Sequence, residues 1–272
     1  MRVAVVQVAY GDDEPVAERV QRVAALVREQ AGHDLVVLPE LWAPGGFAYR
    51  EWAQRAEPLD GPTVTALRDA ARDAGVVLHA GSLVEAAADG AERGESGRGL
   101  WNTSVLLGPD GALLATYRKI HRFGFGEGEP QLLEAGTEVV CADVPCPASG
   151  GSGVRLGLAT CYDLRFPELF RRLLDAGAQV VVVPAAWPAA RVAHWTLLGR
   201  ARAIEDQVFV VACNTAGTHT GHAMGARSQV VGPTGEVLAE AGEGEQVLSV
   251  DLDVDGLDDV RRAFPVLADR RL

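Results

Sequence analysis

Apolar, β-branched runs of a few residues recur along the chain, at 3–8, 35–38, 76–83, 104–107, 156–159, 180–183, 209–212 and 229–231. Runs this short, bounded by Gly, Pro and charged residues, predict strands buried on at least one face. Between them lie segments whose apolar positions follow the helical period, at 15–30, 63–74, 167–176 and 193–206. Gly75 and Gly177 stand where two of these segments close, and glycine is the residue that most readily takes the left-handed turn ending a helix. Strand and helix alternate early, whereas 102–117, folding back across Pro109-Asp110-Gly111, reads as an antiparallel hairpin. The sum is an α/β layered fold with mixed sheets. Segments 86–99 and 145–153 read as loops too short to link separate domains, and no fixed-period repeat is present, so one domain over residues 1–272 is expected.

Composition narrows the class. A chain of 272 residues, 48% hydrophobic and 23% charged, can bury a sizeable core. The net charge of −12 gives no basic footprint, and Arg171-Arg172 and Arg270-Arg271 are short clusters, so nucleic acid is not an expected partner. No apolar run approaches the ~20 residues of a membrane-spanning helix. Asp12, Asp13 and Glu14 interrupt the N-terminal apolar run where a signal peptide would continue. A cytoplasmic protein with no membrane partner is the expectation. Cys141, Cys146, Cys161 and Cys213 are too sparse and irregular for a disulfide scaffold, which leaves room for a reactive thiol.

Three chemically capable residues follow apolar strands directly: Glu40, Lys119 and Cys161. In open α/β sheets ligands bind in the crevice beyond the strand ends. Taken singly, each has a plain structural reading, as a loop carboxylate, a solvated strand-end charge and a small buried hydrophobe. Together they fit acyl transfer, since a thiol needs a base and a tetrahedral oxyanion needs a cation or N–H donors.

The strings around them, VVLPELW at Glu40, TYRKIH at Lys119 and GLATCYDLRFPELFRRL at Cys161, resemble the nitrilase (carbon-nitrogen hydrolase) superfamily in its own order. VVVPAAWP, ARAIEDQVFVVACN and FPVLADRR extend the resemblance from Val3 to Arg271. It implies a four-layer αββα sandwich with two mixed sheets, and hydrolysis of a small amide to an acid and ammonia through a thioester on Cys161, without cofactor or metal. Glu40 would be the general base, and Lys119 with the Tyr162 N–H would hold the oxyanion. The family's second glutamate is identified as Glu129, with Glu127 the competitor. Leu41-Trp42, Phe123 and Trp187 would line the pocket, beside a glycine-rich edge loop at 124–128. PAAWP, Arg191 and His194-Trp195 look closest to the branch of omega-amidases and amidases of deaminated glutathione. Nitriles, N-carbamoyl amino acids and a noncatalytic ligand-binding role stay open as alternatives. The helix after Cys161 and the one opening at His194-Trp195 imply a homodimer by resemblance.

Other constellations fit less well. Asp251, Asp253, Asp255 and Gly256 imitate a calcium loop, but its twelfth position is Arg262, and a solvated strand over 249–254 is the better reading. Cys141 and Cys146 with His219 and His222 match no common zinc spacing. The glycines at 124–128 lack the lysine of a phosphate-binding loop. No histidine stands in a string resembling a papain-type hydrolase.

Overall fold

The computed structural model describes residues 1–88, 90–146 and 153–271. Its main strands run, in chain order, β1 (Arg2–Gln7), β2 (Leu35–Val37), β3 (Val77–Ala86), β4 (Leu100–Leu107), β5 (Leu113–Arg118) and β6 (Cys141–Val144). They continue as β7 (Val154–Leu158), β8 (Val180–Ala185), β9 (Phe209–Asn214), β10 (Gln229–Val231), β11 (Val237–Glu240) and β12 (Gln246–Asp251). The long helices are α1 (Val16–Arg28), α2 (Pro62–Ala74), α3 (Pro167–Asp175) and α4 (Val192–Asp206).

These strands form two six-stranded sheets, ordered β12-β1-β2-β3-β4-β5 and β11-β10-β9-β8-β7-β6. In the first, β1, β2 and β3 are parallel, with β12 antiparallel on one side and β4 and β5 on the other. The second repeats this plan, with β7, β8 and β9 parallel, β6 antiparallel beside β7, and β10 and β11 antiparallel beyond β9. Each half therefore crosses over twice through helices, α1 and α2 in one and α3 and α4 in the other, as parallel neighbours require.

Strand alternation builds the layers. Val3, Val5, Leu35, Val37 and Val77 join the core shared with the second sheet. Their neighbours Ala4, Val6, Val36, Leu38 and Leu78 pack instead on Val20, Val23 and Val27 of α1 and Val64 and Leu67 of α2. The second sheet covers its outer face with Leu169, Phe170 and Leu173 of α3 and Trp195 and Ala203 of α4. The layers are thus helix, sheet, sheet, helix, the four-layer αββα sandwich that the resemblance implied. Among the described residues, no helix is long and apolar enough to cross a membrane.

Of these main strands, the pattern misses two and shifts one. Strands β6 and β11 lie at sheet edges and are largely half-buried or exposed, so neither carries a hydrophobic alternation to read. The strand expected over 249–254 is β12, which begins earlier; its pairing ends at Asp251, after which Leu252 and Val254 turn into the core. Of the loop expected at 145–153, residues 147–152 lie outside the described residues. The 86–99 loop carries no helix or strand between β3 and β4 among its described residues.

One buried group couples this core to pH. His79 on β3 is fully buried, and burial pushes its pKa down to about 4. The unfolded chain accepts a proton there near pH 6.5 while the folded chain refuses it, so stability falls as pH drops from about 6.5 toward 4, by about 3 kcal/mol at most. Chemical denaturation at pH 7 and pH 4.5 should show wild type losing about 2 kcal/mol more than His79→Leu across that interval. Equal losses in the two proteins would refute this origin of acid sensitivity.

Candidate active site

Glu40 owes its position to backbone geometry just past β2. Leu41, next in the chain, has φ +45°, and its N–H donates to Ser82 Oγ at 3.1 Å. The β3–β4 register slips between His79 and Ser82, where Gly81 has φ +70°. A Cβ on Gly81 would lie 1.9 Å from the Pro39 carbonyl oxygen, so only glycine lets β3 press against this turn.

The Glu40 carboxylate is buried and fully engaged. Its Oε1 accepts from Lys119 Nζ at 2.7 Å and Asn102 Nδ2 at 2.8 Å, and its Oε2 accepts from the Ala186 N–H at 2.8 Å. Lys119 follows β5 immediately, its backbone clamped by Asn102 O and Gly136 N, each at 2.9 Å. Its ammonium also meets Glu129 Oε2 at 2.9 Å. Glu129 opens the short helical turn Glu129–Leu132, accepts from Asn102 Nδ2 at 2.6 Å, and takes the Phe123 N–H on its other oxygen. Asn102 and Lys119 each bridge both carboxylates. Glu127, the competing glutamate, is exposed and outside this network.

Electrostatics follow from that packing. Burial alone would lower the Lys119 pKa, but the carboxylates of Glu129 and Glu40 outweigh it and hold the ammonium well above its ordinary value. Burial raises the Glu129 carboxyl, against the pull of Lys119. A charge buried this deeply is stable only when paired and hydrogen-bonded, as here.

Cys161 lies three residues past the end of β7, at the start of the turn Cys161–Arg165, with φ +48°. A non-glycine residue in that region stores about 1–3 kcal/mol of strain. Thr160 and Asp163 form a reciprocal capping pair around it, with the Thr160 N–H on Asp163 Oδ2 at 2.8 Å. Asp163 also accepts from Tyr117 Oη at 2.7 Å and from the His121 N–H at 3.0 Å, tying the cysteine turn to the segment around Lys119. The thiol shares a chamber wall with Glu40 and Ala186; burial first, then the Glu40 charge, pushes its pKa well above the usual thiol range. Among the described residues nothing accepts the Tyr162 N–H.

Two small chambers flank the sulfur. One is bounded by Leu41, Phe47, Tyr49 and the charged cluster, the other by Tyr162, Arg165, Trp187, Pro188 and Arg191, and Phe123 borders both. Phe123, Tyr162, Trp187 and Leu41 therefore all line these chambers. Trp42 does not. It lies in the turn that opens at Glu40, buried beneath the helices of the first sheet, its indole N–H committed to Ala80 O at 3.0 Å. A wider charged cleft around Glu92, Trp101, Arg118 and Glu138 touches none of the four clustered residues. Sequence reasoning missed Asn102, the Ala186 N–H and Asp163; Asp163 lies within the quoted cysteine string, but nothing in one dimension shows what it clamps.

A family model described as carbon-nitrogen hydrolase matches residues 2–262. The chain belongs to this family. As a carbon-nitrogen hydrolase it is 45% identical over 269 residues to a 2-oxoglutaramate amidase of Paenarthrobacter nicotinovorans, covering 99% of this chain and 89% of that protein. XC1258 of Xanthomonas campestris, a CN-hydrolase superfamily protein with an arsenic adduct in its active site, superposes with a TM-score of 0.86 at 32% identity, covering 100% of this chain and 97% of that one. A Glu-to-Gln variant of the amidase from Nesterenkonia sp. AN1, in which acrylamide has added to the active-site cysteine, gives a TM-score of 0.78 at 28% identity over 98% of this chain and 99% of that one. The carbon-nitrogen hydrolase described here is accordingly a cysteine amidohydrolase.

Asp163 offers a direct check on how the cysteine turn is held. Asp163→Ala strands buried donors and releases a strained turn, so denaturant melts should show a loss of about 3 kcal/mol or more, together with a fall in amidase turnover. A variant as stable and active as wild type would contradict the clamp.

Proposed function

We infer that Cys161 attacks the carbonyl carbon of a small primary amide with Glu40 as its base. The observation that carries this reading is the buried Cys161 lining one chamber together with a buried Glu40 carboxylate that is itself ion-paired to Lys119. A thiol held above its ordinary pKa is protonated at neutral pH, so the proton must leave as sulfur attacks, and Glu40 is the acceptor in reach. The tetrahedral oxyanion rests on Lys119 Nζ and the Tyr162 N–H. The C–N bond then breaks, the nitrogen takes the proton back from Glu40 and departs as ammonia, and the acyl group remains on sulfur as a thioester. Water loses a proton to Glu40, attacks the thioester and releases the carboxylic acid, and the thiol recovers its proton. Glu129 holds Lys119 in place.

The substrate class is a short omega-amide whose far end is a carboxylate, a reading supported by the similarity to a 2-oxoglutaramate amidase. We also read residues 1–272 as one catalytic domain, acting in the cytoplasm as a homodimer through the outer faces of α3 and α4; the large exposed side chains Leu197 and Ile204 on α4 support that assembly.

Ammonia release from omega-amides tests the chemistry. Cys161→Ala should lose about four orders of magnitude or more in turnover, and Glu129→Gln distinctly less, since it supports and does not react. Added hydroxylamine should divert the thioester to a hydroxamate in wild type but not in Cys161→Ala. Equal losses from the two substitutions would overturn the division of roles, and indistinguishable ammonia release by wild type and Cys161→Ala would overturn the function.

A further inference from the structure

Arg191 stands at the chamber beside Cys161 with no acid to hold. In a chain of net charge −12, the buried and half-buried arginines are commonly neutralised by carboxylates: Arg19 by Glu14, Arg171 by Asp206, Arg202 by Glu205. Arg191 is half-buried, yet among the described residues no carboxylate pairs with it and its guanidinium donates no hydrogen bond. Its backbone is pinned, the N–H on Pro188 O at 3.0 Å and the carbonyl accepting Trp187 Nε1 at 2.8 Å. Its guanidinium carbon lies 5.5 Å from the centre of the Phe123 ring, the wall shared by both chambers at the sulfur.

Arg165 lines the same chamber but is already engaged, with Nη2 3.2 Å from His194 Nδ1 and the guanidinium 4.7 Å from the centre of the Trp187 ring. The charge pattern then orients a ligand. On one side of Cys161 two carboxylates face a single ammonium, a surrounding that repels an anion; on the other are two guanidinium groups and no acid. An amide that is a carboxylate at its other end enters with the amide toward Glu40 and the carboxylate toward Arg191. The planar fork of an arginine matches a carboxylate in two parallel hydrogen bonds.

We propose that Arg191 is a specificity-determining residue that binds the distal carboxylate of the substrate, so that anionic amides are selected over neutral amides of equal length. This rests on the amidase reading above and adds to it the residue that reads the far end.

Succinamate and butyramide, equal in carbon number and differing in the carboxylate, are the probes. Wild type should favour succinamate in kcat/KM. In Arg191→Met the succinamate-to-butyramide ratio should fall about ten- to a hundredfold, the loss appearing in the KM for succinamate, as expected when charge-assisted hydrogen bonds are removed. Arg191→Lys, which keeps the charge without the fork, should recover part of it. Calorimetry on Cys161→Ala supplies a readout independent of turnover: succinamate should bind it more weakly once Arg191→Met is added. An unchanged ratio, or a loss of kcat shared by both amides, overturns the assignment, as does equal succinamate affinity in the two Cys161→Ala proteins. Failure of the amidase reading is a separate result, the absence of Cys161-dependent ammonia from either amide.

Discussion

The site depends on one buried ammonium. Lys119 is almost completely enclosed, and its charge persists because Glu40 and Glu129 both sit within hydrogen-bonding distance while Asn102 bridges the same two carboxylates. Removing one partner from such a network leaves an uncompensated charge in a low-dielectric interior, at about 3–5 kcal/mol. The pairing therefore constrains more than chemistry. It joins the end of β2, the end of β5 and the helical turn at 129–132, so the loop carrying Glu129 cannot leave without stranding the lysine.

The same network sets the reactivity of sulfur. Burial and the neighbouring Glu40 both oppose ionisation of Cys161, and Lys119 compensates only in part. Such a thiol rests protonated beside a carboxylate and an ammonium that are already fixed by each other. Strain at Cys161 serves this arrangement, since a left-handed residue brings the chain sharply round after β7, and Asp163 holds that turn to Tyr117 of the facing sheet and to His121 just beyond it.

The two sheets share one plan, and their counterpart strands β2 and β8 meet at the site. The Glu40 N–H approaches Ala185 O at 3.4 Å and the Ala186 N–H returns to the Glu40 carboxylate, so one half contributes the carboxylate and the other steadies it. Glu40, Lys119 and Glu129 belong to the first half and Cys161 to the second. Packing the sheets face to face is what brings them to one cluster.

Much of this was legible in one dimension. Period-2 and period-3.6 patterns marked the parallel strands and the four long helices, because burial on a defined face leaves a periodic trace, while the edge strands β6 and β11 left none. Glu40, Lys119 and Cys161 were visible through the strings around them, and Glu129 through the short run into its turn. By itself, then, the sequence determined the elements, the family and the chemically capable side chains. Only the tertiary structure decided that Asn102 bridges two carboxylates, that Asp163 clamps the cysteine turn, that Trp42 is core while Phe123 is wall, and that Arg191 faces the sulfur chamber without an acid. These are relations between residues far apart along the chain, and distance and direction between such residues exist only once the sheets have packed.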